Sequence, residues 1–145
     1  MTVLLIATVA LLALAPGISH SLTLSWARNG EAITNVVTVT ANGETNLDLT
    51  VPANTTDLRA DIDLDADKIQ SLYILSDQNV TIETNSGTSP GNTLTIGANK
   101  PYVWYLGCGL ANPITTDVAA SIYVTNPSTT LAANVQIRVL QDMTS

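Results

Sequence analysis

The sequence predicts an all-β chain: an antiparallel β-sandwich of about ten short strands, jelly-roll-like in arrangement, preceded by an apolar N-terminal segment. Three observations lead there. Almost every patterned stretch after residue 20 alternates apolar and polar side chains with a period of two, the spacing of a half-buried strand. The stretches are short, are separated by Asn-Gly, Asn-Pro and Gly-rich reversals, and include no convincing amphipathic helix. Composition agrees, since 21 Thr and 12 Asn suit strands with neutral polar outer faces joined by tight turns. At 145 residues the chain is sized for one domain, 20–145, with residues 1–19 standing apart. A domain of this length buries roughly 70% of the surface that its unfolded chain exposes, so it needs no covalent staple.

Taken in order, Thr2 to Ala15 is almost wholly apolar, and the first formal charge is Arg28. The run fits a secretory leader with Gly17 and Ser19 before a cut, although it lacks the basic n-region. It equally fits an arm retained against a neighbouring subunit, or an upstream extension of the reading frame. As a membrane span it is short of about 20 residues and has no basic anchors, so no membrane partner is expected.

From Ser21, the residues Leu22, Leu24 and Trp26 alternate with Ser21, Thr23 and Ser25, and Asn29-Gly30 supplies a strong hairpin signal. Val37 and Val39 continue the pattern through Ala41. Asn42-Gly43 then predicts a second turn into Leu47, Leu49 and Val51, which would complete a three-stranded meander. After the break at Pro52-Ala53-Asn54, Leu58, Ala60, Ile62 and Leu64 oppose Arg59, Asp61, Asp63 and Asp65, reading as a strand with one acidic face and a short helical turn after it near Ala66 to Gln70. Further strands follow at 72–75, 80–84, 93–96, 102–106, 122–125 and 135–140. Asp77-Gln78-Asn79 reads as a hairpin connection, residues 85–92 as a flexible loop, and Asn112-Pro113 and Asn126-Pro127 as reversals.

The chemistry on offer is sparse. His20 is the only imidazole, no recognisable motif places a nucleophile beside it, and no catalytic constellation stands out, so no enzyme is expected. A paired-carboxylate hydrolase would need aromatic platforms, and the chain has two Trp, four Tyr and no Phe. A formal charge of −7 argues against nucleic acid, because phosphate binding requires clustered Lys and Arg. The single cysteine, Cys108, sits between two glycines with no basic neighbour and no second thiol, as a small structural residue does. Asp61, Asp63 and Asp65 resemble a calcium loop, but Ala66 stands where that loop needs Gly and Leu72 where it needs Glu. On a strand, same-face carboxylates lie about 6.8 Å apart at the backbone, too spread for one ion. No cofactor or metal is therefore expected, and the three aspartates become a solvated face or an interface for a basic partner. On the strand at 102–106, Tyr102 and Trp104 share one face and Val103 and Tyr105 the other. The pair Tyr102 and Trp104 is thus either a subunit contact or a core lining.

The stretches Ser71-Leu72-Tyr73-Ile74-Leu75-Ser76-Asp77, Val80-Thr81-Ile82-Glu83-Thr84-Asn85, Asn112-Pro113-Ile114-Thr115-Thr116-Asp117-Val118, Ile122-Tyr123-Val124-Thr125-Asn126 and Gln136-Ile137-Arg138-Val139-Leu140 carry a family likeness. Across about residues 20–142 the chain resembles small β-rich virion structural proteins of tailed bacteriophages. The resemblance implies capsid decoration: a cement protein, clustered as a homo-oligomer (a trimer) at the joints of the shell, with the major capsid protein as its partner. Asp61, Asp63 and Asp65 would then meet basic capsid surface. The competing expectation is a secreted or periplasmic binding module, adhesin-like or carbohydrate-binding. A tail or neck component of the same virus shares all these features.

Overall fold

A computed structural model describes residues 17–144. Residues 1–16, which hold most of the apolar leader, lie outside the described residues, and Ile18 and Ser19 already belong to the first strand. The described residues form ten strands: β1 (Ile18–Arg28), β2 (Glu31–Ala41), β3 (Gly43–Val51), β4 (Thr55–Asp61), β5 (Ile69–Ser76), β6 (Val80–Thr84), β7 (Thr93–Ile96), β8 (Tyr102–Tyr105), β9 (Ser121–Asn126) and β10 (Ala133–Gln141). A single 3-10 turn, Ala66–Lys68, interrupts them.

β3 to β10 build two four-stranded antiparallel sheets, ordered β3-β10-β5-β8 and β4-β9-β6-β7. With the exception of β6 and β7, every pair of consecutive strands in this body lies in opposite sheets, which is the connectivity of a jelly roll. The reason for two layers is plain in the alternation. Val135, Ile137 and Val139 of β10 turn inward from one sheet, Ile82 of β6 and Ile122 and Val124 of β9 from the other, and all are buried. Each sheet has one apolar face, and facing the two removes both from water. β1 and β2 stand outside this scheme as a separate two-stranded antiparallel hairpin.

That connectivity corrects two expectations. The chain makes no meander at Asn42-Gly43, because β3 pairs with β10 and not with β2. A Cβ at Gly43 would displace the Met143 side chain, which lies against it, while the Asn42 carboxamide accepts a bond of 2.6 Å from the Met143 backbone N–H. Nor is Asp77-Gln78-Asn79 a hairpin, since β5 and β6 belong to different sheets. In a jelly roll a turn signal marks a reversal and leaves open whether the reversed strand pairs or crosses to the other layer.

The strand expected through Leu64 also ends early. β4 stops at Asp61, after which Leu64 makes one isolated bridge to Val118. The alternation survives without the ladder, with Ile62, Leu64 and Ala66 buried and Asp61 and Asp63 exposed. The segment 85–92, expected as a flexible loop, connects the paired strands β6 and β7 and is cross-braced. Asn92 accepts from the Thr115 backbone N–H and hydroxyl at 2.9 and 2.8 Å and donates to Thr84 Oγ1 at 3.1 Å.

Asparagine also fastens the opposite end of the sandwich. Asn126, fully buried, donates from Nδ2 to the carbonyls of Val51, Pro52 and Leu131 at 3.1, 3.1 and 2.9 Å, and its Oδ1 accepts from Ser128 N–H at 3.1 Å. One side chain thereby joins the β3–β4 connection to the β9–β10 loop and leaves none of its own polar atoms bare.

Candidate functional site

The hairpin β1–β2 is the feature that the fold leaves unexplained. Its turn has both central residues in the left-handed region, Asn29 at φ 51° and Gly30 at φ 86°, the conformation of a type I′ reversal. The register pairs Ile18 with Ala41 and Arg28 with Glu31, so side-chain parity divides the ribbon cleanly. One face is largely Ser and Thr, with cross-strand hydroxyl pairs Ser19–Thr40 at 2.9 Å, Ser21–Thr38 at 3.3 Å and Ser25–Thr34 at 3.2 Å. The other carries Leu22, Leu24, Trp26, Ile33, Val37 and Val39. An amphipathic ribbon of this kind is expected to lay its apolar face on something.

It does so over only part of its length. At the base, Leu22, Val37 and Val39 are half-buried, whereas every residue from 23 to 36 is exposed, including Leu24 at 49%, Trp26 at 56% and Ile33 at 65%. At about 3.4 Å per residue, the six exposed residues at the end of β1 carry the ribbon on the order of 20 Å beyond its support.

The base is fastened by one histidine. His20 Nδ1 lies 3.1 Å from Ser71 Oγ on β5, and Nε2 lies 2.9 Å from Glu44 Oε1 on β3, so a single imidazole ties the arm to the outer face of the sheet. The His20 hydrogen bond holds the Glu44 carboxyl below its ordinary 4.5, with desolvation opposing it. Beside this clamp Arg138 of β10 reaches Asp48 of β3 through two bonds from one nitrogen, at 2.7 and 3.0 Å. Between arm and sheet lies an open groove of about 330 Å³, walled by Leu22, Val37 and Val39 above and by Tyr73, Val103 and Tyr105 below. Among the described residues no carboxylate lines it.

A serine, an imidazole and a carboxylate in contact invite a catalytic comparison. Ser71 is 7% exposed and lies in β5, an interior strand paired to β10 on one side and β8 on the other. The backbone amides of an interior strand are committed to the ladders. The three side chains together attach the arm to the sheet.

The side chains singled out in the sequence fall in three places. Asp61 pairs with Arg59 at 3.0 Å on open surface. Asp65 accepts from Asp67 N–H at 3.2 Å as the cap of the 3-10 turn and lies 3.7 Å from Lys68, while Asp63 and Asp65 edge an open depression with Asp117. Among the described residues no group of three or more His, Cys, Asp or Glu side chains is placed to hold a metal ion. Of the two readings of Tyr102 and Trp104, the core lining is the one seen: Trp104 is buried at 5% exposure and donates from Nε1 to the Leu110 carbonyl at 3.1 Å, and Tyr102 packs beside it against the core. It is the outward pair of that strand, Val103 and Tyr105, that meets the groove. Cys108 packs against the core between Gly107 and Gly109, both at positive φ.

Glu44, Ser71, Tyr73 and Arg138 were not singled out from sequence. The one available signal was parity: His20 shares a strand face with Leu22, Leu24 and Trp26, an odd place for an imidazole without partners. Its partners lie 24 and 51 residues away, and only the sheet order brings them together. No protein-family model matches this chain, and no curated protein is similar enough to count as a relative. Among the described residues no helix is long and apolar enough to cross a membrane.

Proposed function

We propose that this chain is a virion structural protein of a tailed bacteriophage, a capsid decoration (cement) protein that ties major capsid subunits together from outside and catalyses nothing. Jelly rolls serve viral capsids and lectins alike, so the fold by itself leaves the role open. The observation that carries the reading is the arm: a two-stranded ribbon that presents Leu24, Trp26 and Ile33 to solvent beyond the body that supports it. Such a face is made for contact with protein. The acidic side chains Asp61, Asp63 and Asp65 supply a second surface, suited to basic patches on the shell. Many modest contacts repeated over a lattice would bind firmly through multivalency.

Binding to purified shells tests this. The expected result is saturable attachment that weakens as salt rises, because exposed ion pairs are screened over about 10 Å at 0.1 M. Attachment indifferent to salt removes the aspartates from the interface, and no attachment to any shell or tail preparation removes the reading.

A secreted or periplasmic binding module is the second reading, favoured by the groove itself. Two tyrosines, Tyr73 and Tyr105, line it beside the polar groups of His20, Ser71 and Arg138, as in a small carbohydrate site. Mass spectrometry of the mature N-terminus separates the two: loss of 19 residues supports export, and an intact start supports assembly in the cytoplasm.

A further inference from the structure

The arm and the groove are each incomplete, and each has what the other lacks. The arm ends in an exposed indole with aliphatic neighbours, Trp26 between Leu24 and Ile33. The groove is an open apolar slot of about 330 Å³ with aromatic and aliphatic walls, room enough for one indole and a neighbouring aliphatic side chain. Within one molecule they lie apart: the groove is walled by Leu22, Val37 and Val39 at the base of the arm, and the indole sits four residues beyond Leu22 along the same strand. We infer that the occupant of the groove is the arm tip of a second copy of this chain, Trp26 seating among Leu22, Val37, Tyr73, Val103 and Tyr105 of its neighbour.

Charge favours self-association at this surface. The only formal charges on the arm are Arg28 and Glu31, which face each other and cancel, so the net −7 resides in the rest of the chain. Among the described residues the groove has no carboxylate in its lining, and its one cation, Arg138, is matched by Asp48. Two copies with acidic bodies can therefore approach arm to groove without opposing like charges at the contact. A basic partner would have nothing to pair with here.

Area favours a closed arrangement. From the fractional exposures of Leu24, Trp26 and Ile33, the arm offers roughly 400 Å² of apolar surface, within the range of the largest patch on a typical monomer. Covering it with an equal area of the neighbour, the groove together with the surface around it, removes about 800 Å² in total, the size of a packing contact, whereas a stable interface buries about 1,200–2,000 Å². One seated arm is too little, and two per molecule suffice. Because the two surfaces differ, every copy can give an arm and receive one, by reciprocal exchange in a pair or head to tail around a ring.

The inference concerns the isolated chain and does not depend on shell binding. Its test is sedimentation velocity of the full chain over a concentration series, read together with iodide quenching of tryptophan. Trp104 is buried, so quenching reports Trp26. The expected result is a concentration-dependent assembly in which Trp26 becomes protected as the assembly forms. Trp26→Ser should weaken association on the order of 30-fold or more, the effect of truncating a hot-spot side chain, with the β circular-dichroism spectrum unchanged. Val103→Lys should do the same from the groove side. A chain that stays monomeric with an exposed Trp26, or an assembly indifferent to Trp26→Ser, overturns the inference. So does a monomer whose Trp26 is already protected, which would mean that the chain covers its own arm. A monomer that nevertheless binds shells through Trp26 would overturn it and leave the decoration reading standing.

Discussion

Replacing Asn126 by alanine should be among the most damaging single changes in the body. Val51 keeps its ladder partner Ala133 when the side chain is gone, so the loss at its buried carbonyl is that of one hydrogen bond, about 0.5–1.5 kcal/mol net. The bonds of Asn126 to Pro52, Leu131 and Ser128 lie at partly exposed sites, where water can replace the side chain and each net loss is again about 0.5–1.5 kcal/mol. Together the four bonds are worth about 2–6 kcal/mol, a large share of the roughly 5–15 kcal/mol that holds a domain folded. For a domain of this size the loss should lower the melting temperature by about 6–20 °C. Urea denaturation followed by circular dichroism and by Trp104 emission measures it. Asn126→Asp is the control: it keeps the acceptor for Ser128 but directs a carboxylate at three carbonyls, so it should be no less destabilising than alanine. A loss below about 1 kcal/mol for Asn126→Ala would refute the claim that this side chain joins the two loops.

Two further outcomes follow from the same structure. Glu44 has its carboxyl lowered in the folded state, so the attachment that it provides is present above its ordinary 4.5 and is lost as pH falls through the lower folded value. Hydrogen exchange should then show the amides of His20 and Val39, a hydrogen-bonded pair of the ribbon, losing protection in that acid window, and Glu44→Gln should abolish the step. On β8, Trp104→Ala should cost about 3–5 kcal/mol, as for an aromatic removed from a core, whereas Tyr105→Ala, on the outward face, should cost less than about 1 kcal/mol and affect only association.

What was legible in the sequence was everything that depends on near neighbours. Alternation marked the strands, Asn29-Gly30 marked a turn whose geometry demands those residues, and the parity of Tyr102 to Tyr105 separated the two faces of that strand without saying which met the core. Partnership was not legible. Asn42-Gly43 carries the same two letters as the true hairpin turn, yet there the glycine admits Met143 and the strands part. Asp77 to Asn79 reverses the chain between layers, and the Asp77 carboxylate binds the Asn134 backbone N–H at 2.8 Å and side chain at 2.7 Å, 57 residues away. The clamp at His20 has the same character: its imidazole was visible, but Ser71 and Glu44 come to it only through the order of the strands.

The buried cluster between the sheets begins at Val51 and takes no side chain from residues 17–41. Whatever is altered toward the Asn29-Gly30 tip therefore leaves the jelly roll to close as before. The ribbon can be lengthened, recoded or made to carry a grafted peptide at its tip, so mutation can explore new contacts on a platform whose integrity is decided elsewhere.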